Sequence, residues 1–484
     1  MRNKSGKISI LGRIGRIVSI IQLVLSAVAV FLIYWMNVLP ELYLAVIAVL
    51  LAVLLIVCRL LMGRAEKKPR FFVGFILAII ISLVLCVVNM LVFRVNDTLQ
   101  GMTDVEYETT SLGVYVLKDD PAQTINDAAG YEFGILGVQG REDTNNAIVQ
   151  INEKLGTEIA TEEYEDAVSL AQGLLDGQCG AILMNEAFVD VISETEGYES
   201  FGDQIRELDS YKWKTIIENN TAEYVQDGVF TMFISGIDVA GEISKKSRSD
   251  VNILAVVNTN THQVQLISTP RDYYVPLSIS NGVKDKLTHA GIYGVDVSKE
   301  TLGMLYDTQI DYYFRINFSG FQQIIDALNG ITVHSDYEFE AGGYHFGAGA
   351  NKLNGEQALV FARERHAFPE GDRQRGKNQM AVVSGVIAKM QSPAILQNFS
   401  QLLDGVQGSF ESDIPYDLLS AMVKDQLSGG GSWNVSSYSV DGTGTMSTTY
   451  SMNQSLYVME PDMSTVEHAR ELIQNVRDGG TASE

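Results

Sequence analysis

Three long apolar runs occur near the start of the chain, at Ile17 to Val38, Leu42 to Leu61 and Phe71 to Phe93. Each is close to the ~20 residues with which an α-helix crosses a ~30 Å hydrocarbon core. No small-residue cleavage site follows the first run, and two further runs come after it. The pattern therefore predicts three transmembrane helices rather than a cleaved signal peptide.

Short apolar runs alternate with helical periodicity between residues 97 and 225. The runs "YEFGILGV" and "GAILMN" are typical of buried strands, whereas "NNAIVQINEKLG" and "EEYEDAVSLAQGLLDG" carry apolar positions at helical spacing. This region has no Gly-rich phosphate loop and no plausible metal cluster in its sequence. We expect a small α/β accessory domain, and the sequence assigns it no function.

A larger α/β domain is predicted for residues 228–478, with a central mixed sheet flanked by helices. The predicted strands are "VFTMFISGI", "VNILAVV", "VQLIST", "YYFRINF" and "ITVHS". The predicted helices are "VSKETLGMLYDT", "SGFQQIIDALNG", "NGEQALVFARER" and "DRQRGKNQMAVVSGVIAKMQ". Ser319 is a candidate cap, and Asn354 with Gln357 resembles a capping box. Glycines 429–431 indicate a loop, and residues 479–484 are predicted to be a disordered tail.

Charge divides the 484-residue chain unevenly. Residues 1–96 hold 11 Lys and Arg against two acids, and the remainder holds 35 − 11 = 24 basic against 59 − 2 = 57 acidic residues. The net charge of −24 argues against general nucleic-acid binding, so nucleic acid is not an expected partner.

Basic residues cluster before the first apolar run and between the second and third, whereas the loop from Asn37 to Glu41 has none. By the positive-inside rule, residues 1–16 form a cytoplasmic tail, residues 17–94 form three membrane helices, and all that follows is extracellular. Cys58 and Cys86 lie within predicted spans and Cys179 stands alone, so no disulfide framework is available outside.

Candidate chemistry first appears in the hairpin sequence "DVNILAVVNTNTHQVQLISTPRD". Antiparallel pairing about its polar turn places Asp250 beside Arg271. Asp238 ends the preceding strand, and Arg248 lies two residues before Asp250, on the same face if the backbone is extended. The hairpin alone is equally consistent with a surface salt-bridge cluster.

A second basic segment, "RERHAFPEGDRQR", runs from Arg363 to Arg375. On a helix that begins near Asp372, the spacing of Asp372, Arg375 and Gln379 places them on one face, which apolar residues continue towards the core. Arg363 and Arg365 share a side if the chain leaves the preceding helix extended. Converging guanidinium groups and a helix N-terminus suit a pyrophosphate. Carboxylates such as those of Asp238 and Asp250 are ligands that Mg²⁺ accepts beside phosphates.

The ordered motifs "SRSD", "STPRD", "DYYFRINFSGF", "LNGEQAL", "ARER", "GDRQR" and "NQ" resemble those of the LytR-CpsA-Psr family over about residues 230–390. The three spans and the accessory domain look like its streptococcal capsule-locus members. The resemblance implies a membrane-anchored, Mg²⁺-dependent phosphotransferase. It would move capsular polysaccharide from a polyprenyl pyrophosphate carrier to peptidoglycan through a phosphodiester, with pyrophosphatase activity as a side reaction.

The resemblance also assigns roles to matching residues. The Mg²⁺-associated acids would be Asp238 and Asp250. The pyrophosphate would be held by Arg248, Arg271, Arg363, Arg365, Arg375 and Gln379. The catalytic group would comprise Arg271, Asp272, Asp372 and Arg375, with Asp272 and Asp372 both open as the general base. His366 and Asn378 depart from the residues that the family often has at their positions, an acid and an arginine.

The expected partners are the lipid-linked polysaccharide, peptidoglycan, membrane lipid and other capsule-assembly proteins. An apolar sleeve for the polyprenyl tail is expected from residues 302–328 and 382–390. Two other functions stay open at this point: a membrane-bound regulator of capsule gene transcription, and a module that binds polyprenyl pyrophosphate without chemistry. The short basic N-terminal tail is more simply explained as a topology signal than as a DNA-binding surface.

Overall fold

The computed structural model describes residues 10–63, 68–103, 107–216, 228–237, 243–391, 410–429 and 431–483. The helices are α1 (Ile10–Met36), α2 (Glu41–Met62), α3 (Lys68–Thr103), α4 (Arg141–Leu155), α5 (Ala167–Leu175), α6 (Ala187–Ser193), α7 (Phe201–Gln204), α8 (Ala290–Tyr293), α9 (Val295–Tyr306), α10 (Phe318–Ala327), α11 (Gly355–Arg363), α12 (Asp372–Met390), α13 (Tyr416–Leu427) and α14 (Met463–Arg477).

The strands are β1 (Tyr107–Leu117), β2 (Glu132–Leu136), β3 (Ala160–Tyr164), β4 (Ala181–Asn185), β5 (Ile205–Ile216), β6 (Val229–Ile237), β7 (Ser249–Asn258), β8 (Gln263–Ser268), β9 (Tyr274–Pro276), β10 (Lys284–Lys286), β11 (Tyr312–Asn317), β12 (Ile331–Ser335), β13 (Phe339–Ala341), β14 (Tyr344–Phe346), β15 (Gly349–Leu353), β16 (Phe410–Ser412), β17 (Asn434–Ser439), β18 (Gly442–Ser447) and β19 (Leu456–Pro461). Packing divides the chain into two units: Met1–Thr103 with Pro415–Gly431, and Asp104–Ile414 with Ser432–Glu484. The predicted domain boundaries stay predictions.

The first unit contains three helices that are long and apolar enough to cross a membrane, as the apolar runs predict. α3 approaches α2 closely at Gly74, where an added Cβ would lie 2.6 Å from Leu61. The short helix α13 belongs to this unit, since the Tyr416 hydroxyl donates to the Met36 carbonyl oxygen at 2.9 Å. The unit therefore combines the apolar N-terminal helices with one amphipathic segment from far along the chain.

The accessory domain, with a sheet of order β3-β2-β4-β1-β5, forms one part of the second unit. β2 is parallel to β3 and β4, and β1 is antiparallel to β4 and β5. Alternate residues of β1 enter two separate cores, with Tyr115 in one and Val114 and Val116 in the other. This alternation is expected for a strand covered on both faces. The predicted α/β accessory fold is present.

The central sheet of the second unit has the order β16-β11-β6-β7-β8-β17. β6, β7 and β8 are antiparallel neighbours, whereas β11 runs parallel to β6 and β17 runs parallel to β8. Side chains of the sheet such as Phe233 and Leu254 pack with Leu302 of α9 and Leu472 of α14 in one core. The prediction of a mixed sheet flanked by helices is confirmed.

Several local predictions are corrected. The stretch 162–177 is not one helix, because Asp166 caps α5 by accepting from the backbone of Val168 and Ser169, and the residues before it form the edge strand β3. The prediction that "ITVHS" is a strand is confirmed, and this strand, β12, pairs with β15 outside the central sheet. In both segments, strand pairing that the sequence did not indicate decides the structure: β3 pairs with β2, and β12 pairs with β15.

Two further corrections concern element ends. Asn317, not Ser319, caps α10 by accepting from the Gly320 amide, whereas the predicted capping box at Asn354 is formed. The predicted disordered tail instead packs on the domain as far as Ser483, whose amide donates to Gln265.

A buried arginine joins the two sheets of the second unit. Arg315 of β11, only 2% exposed, donates to Glu108 Oε1 of the accessory sheet at 2.8 Å and through Nε to Glu411 Oε2 at 3.0 Å. A β-bridge between Thr109 and Lys245 lies in the same region. Since a buried charge needs a partner, these contacts fix the accessory sheet against the central one.

Candidate functional site

A cavity of about 540 Å³ opens at the end of the central sheet. It is lined by Glu194, Asp250, Val251, Arg271, Phe318, Leu359, Val360, Arg363, Glu364, Arg365, His366, Arg375 and Gln379. Five of the six predicted pyrophosphate-binding residues are in this lining; the exception is Arg248. Residues far apart in the sequence therefore meet around one space.

The hairpin of β7 and β8 places the first pair of charges. Its register pairs Asn258 with Gln263 and Ile253 with Ser268, so the start of β7, which contains Asp250, lies beside the chain that follows β8. Arg271 NH1 donates to Asp250 Oδ1 at 2.9 Å. The neighbouring Asp272 is buried, and its Oδ1 lies 3.3 Å from Lys286 Nζ and 3.7 Å from Arg271 Nε.

Helices α11 and α12 bring the second group. Arg363 ends α11 and its guanidinium lies 4.3 Å from the ring centre of Phe318, a cation–π contact. Asp372 begins α12, and its Oδ1 lies 2.9 Å from Arg375 NH1 and 3.6 Å from Arg365 NH1. The predicted helical spacing of Asp372 and Arg375 therefore produces a direct ion pair at the N-terminus of α12, where the helix dipole favours an anion.

The electrostatics of Arg271 and Arg375 differ. Burial lowers the pKa of Arg271, but the carboxylates of Asp250, Asp272 and Glu194 outweigh it, so the pKa is raised. The pKa of Arg375 is lowered, because burial and the cations of Arg271 and Arg365 outweigh Asp372 and Asp250. Arg375 is thus a largely buried cation with too little anion around it, which is the condition that a bound phosphate would relieve.

Arg248 does not take its predicted place at the cavity. It lies just before β7, where a bulge sets Ile237 opposite Ser249 and Gly236 opposite Val251. The bulge breaks the strict alternation on which the prediction depended. The Arg248 guanidinium instead contacts accessory-domain acids, with NH1 2.6 Å from Glu194 Oε1 and NH2 3.2 Å from Asp190 Oδ2.

The candidate bases and most of the expected apolar sleeve lie outside the cavity lining. Neither candidate base, Asp272 or Asp372, lines the cavity directly; each contacts an arginine that does. Of the expected apolar sleeve, Phe318 lies at the cavity, but Leu302 and Val382 belong to separate hydrophobic cores.

The two departures from the family pattern also have distinct places. His366 lines the cavity. Asn378 is buried between α11 and α12, where it donates to the Phe361 carbonyl oxygen at 3.3 Å.

The two predicted metal ligands are Asp238 and Asp250. Asp238 lies outside the described residues, and the described residues contain no group of three or more His, Cys, Asp or Glu placed to hold a metal ion. Asp250 lines the cavity and presents a hard carboxylate, with Oδ1 accepting from Arg271 and from Thr288 Oγ1 at 3.2 Å. This donor chemistry fits Mg²⁺ beside a phosphate, and Mg²⁺ binding stays a prediction.

The sequence interpretation missed two site residues, Glu194 and Lys286. Lys286 ends β10, where it pairs with Tyr274 across a short hairpin, and this places its side chain near Asp272. The short segments "YVP" and "KDK" lie on either side of the turn sequence "SNG", a local signal that could have indicated this hairpin. Glu194 follows α6 of the accessory domain, and no local sequence pattern connects it to Arg271.

The chain is similar to several known proteins. A model of the LytR_cpsA_psr family matches residues 200–469. The polyisoprenyl-teichoic acid–peptidoglycan teichoic acid transferase TagU of Bacillus mycoides is 34% identical over 206 residues, which cover 42% of this chain and 67% of TagU. TagU of Enterococcus faecalis is 32% identical over 220 residues, covering 45% and 71%. The crystal structure of Bacillus subtilis TagV is 26% identical with a TM-score of 0.45, covering 52% and 99%.

Proposed function

The chain belongs to the LytR_cpsA_psr family, and on that premise we propose that it transfers a glycopolymer from a polyprenyl pyrophosphate carrier to peptidoglycan. The polymer that we propose is capsular polysaccharide. The observation that carries the proposal is the cavity in which Arg271, Arg363, Arg365 and Arg375 converge. Related proteins are named as transferases of teichoic acid to peptidoglycan, which supports the reaction class and leaves the polymer to be tested.

The cavity suits a pyrophosphate with a lipid tail. Guanidinium groups bind phosphate oxygens through two parallel hydrogen bonds, and the first turn of α12 adds a favourable dipole. Val251, Phe318, Leu359 and Val360 provide an apolar wall beside the arginines. A charged headgroup and the first prenyl units would each find matching surface in one space.

The proposed reaction is an attack of a peptidoglycan hydroxyl oxygen on the sugar-bearing phosphorus. The bond from that phosphorus to the bridging oxygen breaks, polyprenyl phosphate leaves, and a phosphodiester remains. The hydroxyl proton passes to a carboxylate, for which Asp272 and Asp372 both stay candidates. Arg271 and Arg375 would stabilise charge on the transferred phosphate and on the leaving oxygen, as arginines do in phosphoryl transfer.

We propose that Asp250 holds Mg²⁺ together with Asp238, and the ion would neutralise phosphate charge when bound. We also propose that the N-terminus is cytoplasmic and that the domains after α3 are extracellular, since the basic flanks follow the positive-inside rule. This topology places the site on the side of the membrane where peptidoglycan lies.

The test is transfer of a labelled saccharide from its polyprenyl pyrophosphate carrier to peptidoglycan by the full chain in detergent. We expect transfer by the wild type, and loss of transfer on Arg375→Ala. Arg373→Ala is the matched control, because Arg373 is on the same helix and pairs with Asp441 away from the cavity. Comparing a capsular with a teichoic acid donor decides the polymer. Binding of the carrier without transfer would show a binding module, and a cytoplasmic location of the C-terminus would overturn the proposal.

A further inference from the structure

A carboxylate of the accessory domain reaches into the arginine-lined cavity. Glu194 follows α6, and its side chain contacts three cations of the central domain. Its Oε1 accepts from Arg248 NH1 at 2.6 Å and from Arg271 NH2 at 2.8 Å, and its Oε2 accepts from Lys286 Nζ at 3.0 Å. Burial raises the pKa of Glu194, but the charges of Lys286, Arg271 and Arg248 outweigh burial and lower the pKa to about 2. The carboxylate is therefore charged at neutral pH.

Of the three cations that contact Glu194, one lines the cavity and two do not. Glu194 and Arg271 line the cavity, whereas Arg248 and Lys286 do not. Lys286 has only 4% of its side chain exposed and also contacts Asp272 at 3.3 Å. The carboxylate therefore forms part of the cavity wall and also pairs with two cations outside the cavity lining.

Arg271 is held from two directions by carboxylates of different domains. Asp250 accepts from NH1 and Glu194 accepts from NH2, so the guanidinium plane is fixed at both of its terminal nitrogens. An arginine carries five N–H donors, which leaves others for phosphate oxygens. A long side chain that is already fixed keeps its donors where charge develops in the transition state.

We propose that Glu194 is a positioning residue that the accessory domain supplies to the active site, where it orients Arg271 for the carrier pyrophosphate. This inference rests on the proposed function and assigns the accessory domain a part in it. Glu194 acts through Arg271 and does not itself react. The accessory domain accordingly contributes to turnover through this one side chain.

The same helix provides a matched control. Asp190 lies in α6 and Glu186 and Glu194 flank its two ends with helical backbone angles, and the intervals of four residues place the three acids on one face. Glu186 pairs with Lys245, and Asp190 pairs with Arg248, neither of which lines the cavity. Of these three acids, Glu194 is the one that contacts a cavity arginine.

The experiment measures kcat and KM for transfer from the lipid-linked saccharide by the full chain in detergent, and binding of geranyl pyrophosphate by calorimetry. We expect Glu194→Ala to lower kcat about tenfold and Glu194→Gln, which keeps one acceptor oxygen, about threefold, because a displaced arginine stabilises the transition state less well. KM and the Kd of geranyl pyrophosphate should stay within about threefold. Asp190→Asn should behave as the wild type.

Three outcomes would overturn the inference. One is an unchanged kcat in both Glu194 variants, whatever their Tm. Another is a higher rate or tighter binding, which would mean that Glu194 competes with the carrier. The third is equal loss in Glu194→Gln and Asp190→Asn, which would indicate general domain packing.

The Arg375→Ala variant shows whether a negative result refutes only the inference about Glu194 or also the proposed function. If the wild type and Arg375→Ala bind geranyl pyrophosphate equally, the cavity is not the phosphate site and both proposals fail. If Arg375→Ala abolishes binding and only the Glu194 variants match the wild type, the inference about Glu194 fails alone.

Discussion

Two largely buried arginines of the second unit, Arg315 and Arg375, differ in how far nearby carboxylates compensate their positive charge. At Arg315, one guanidinium faces two carboxylates, Glu108 and Glu411, and burial is outweighed so that the pKa of Arg315 is raised. At Arg375, burial and neighbouring cations outweigh the nearby acids, and its pKa is lowered. Arg315 does not line the cavity, whereas Arg375 does.

This difference separates Arg315, a structural arginine, from Arg375, an arginine of the proposed pyrophosphate site. The carboxylates around Arg315 complete its pairing, so the cluster is satisfied without a ligand. The positive charge of Arg375 is not fully compensated by nearby carboxylates, and Arg375 lies beside a cavity large enough for a pyrophosphate. Residue type alone would not distinguish the two, because both are arginines next to acids. Between these two residues, the distinction lies in whether the protein itself supplies enough anion; Arg271 lines the same cavity with its charge already paired by carboxylates.

Replacement of Arg375, the arginine of the proposed pyrophosphate site, is expected to have the largest effect. We expect Arg375→Ala to lower the rate of transfer about 10³-fold or more, as loss of a correctly placed arginine does in other phosphoryl-transfer enzymes. The Tm should stay the same or rise, because a poorly compensated buried charge is removed. Transfer assays and thermal unfolding of the same preparation check both. Wild-type transfer in this variant would contradict the assignment of the site.

Removing the structural arginine should have its main effect on stability. Arg315→Met leaves Glu108 and Glu411 without their cation, and breaking such a buried pair costs about 3–5 kcal/mol in the free energy of unfolding. Denaturant unfolding measures the loss. The control combines Arg315→Met with Glu108→Gln and Glu411→Gln, which should recover much of the stability because no unpaired charge remains. Equal stability of the single and triple variants would contradict the comparison.

Acid should weaken the contact between the accessory domain and the cavity. The pKa of Glu194 is lowered to about 2 from 4.5, so its contribution to stability is full above pH 4.5 and is lost as the pH falls towards 2. The full shift corresponds to about 3 kcal/mol, and since 28% of the side chain is exposed we expect about 1–2 kcal/mol. The wild type should therefore lose more stability between pH 5 and pH 3 than Glu194→Gln. Parallel pH profiles of Tm would refute this.

The sequence predicted those parts of the site that depend on local geometry. The contact between Asp250 and Arg271 follows from one hairpin, and the pair of Asp372 and Arg375 follows from helical spacing. Both relationships hold whatever the rest of the chain does. The capping box at Asn354 is local in the same sense.

What the sequence could not predict depends on distant packing. Arg248 turns away because a bulge interrupts β7 and because acids of another domain are within reach. Glu194 is 77 residues from Arg271, and only the docking of one sheet against another brings them together. The correction of the helix predicted for residues 162–177 has the same origin, since β3 forms by pairing with β2.

The third arginine of the comparison, Arg373, should give the smallest effect. It lies two residues before Arg375 on α12, but 42% of its side chain is exposed and its partner Asp441 is half-buried near the surface. Exposed ion pairs contribute about 0–1 kcal/mol because solvent screens them and the side chains lose freedom on pairing. We expect Arg373→Ala to change the free energy of unfolding by less than about 1 kcal/mol, with transfer unaffected and the effect reduced in high salt. A large loss of activity would mean that arginines of α12 act regardless of their orientation, and the contrast between a paired and an undercompensated guanidinium would not explain function.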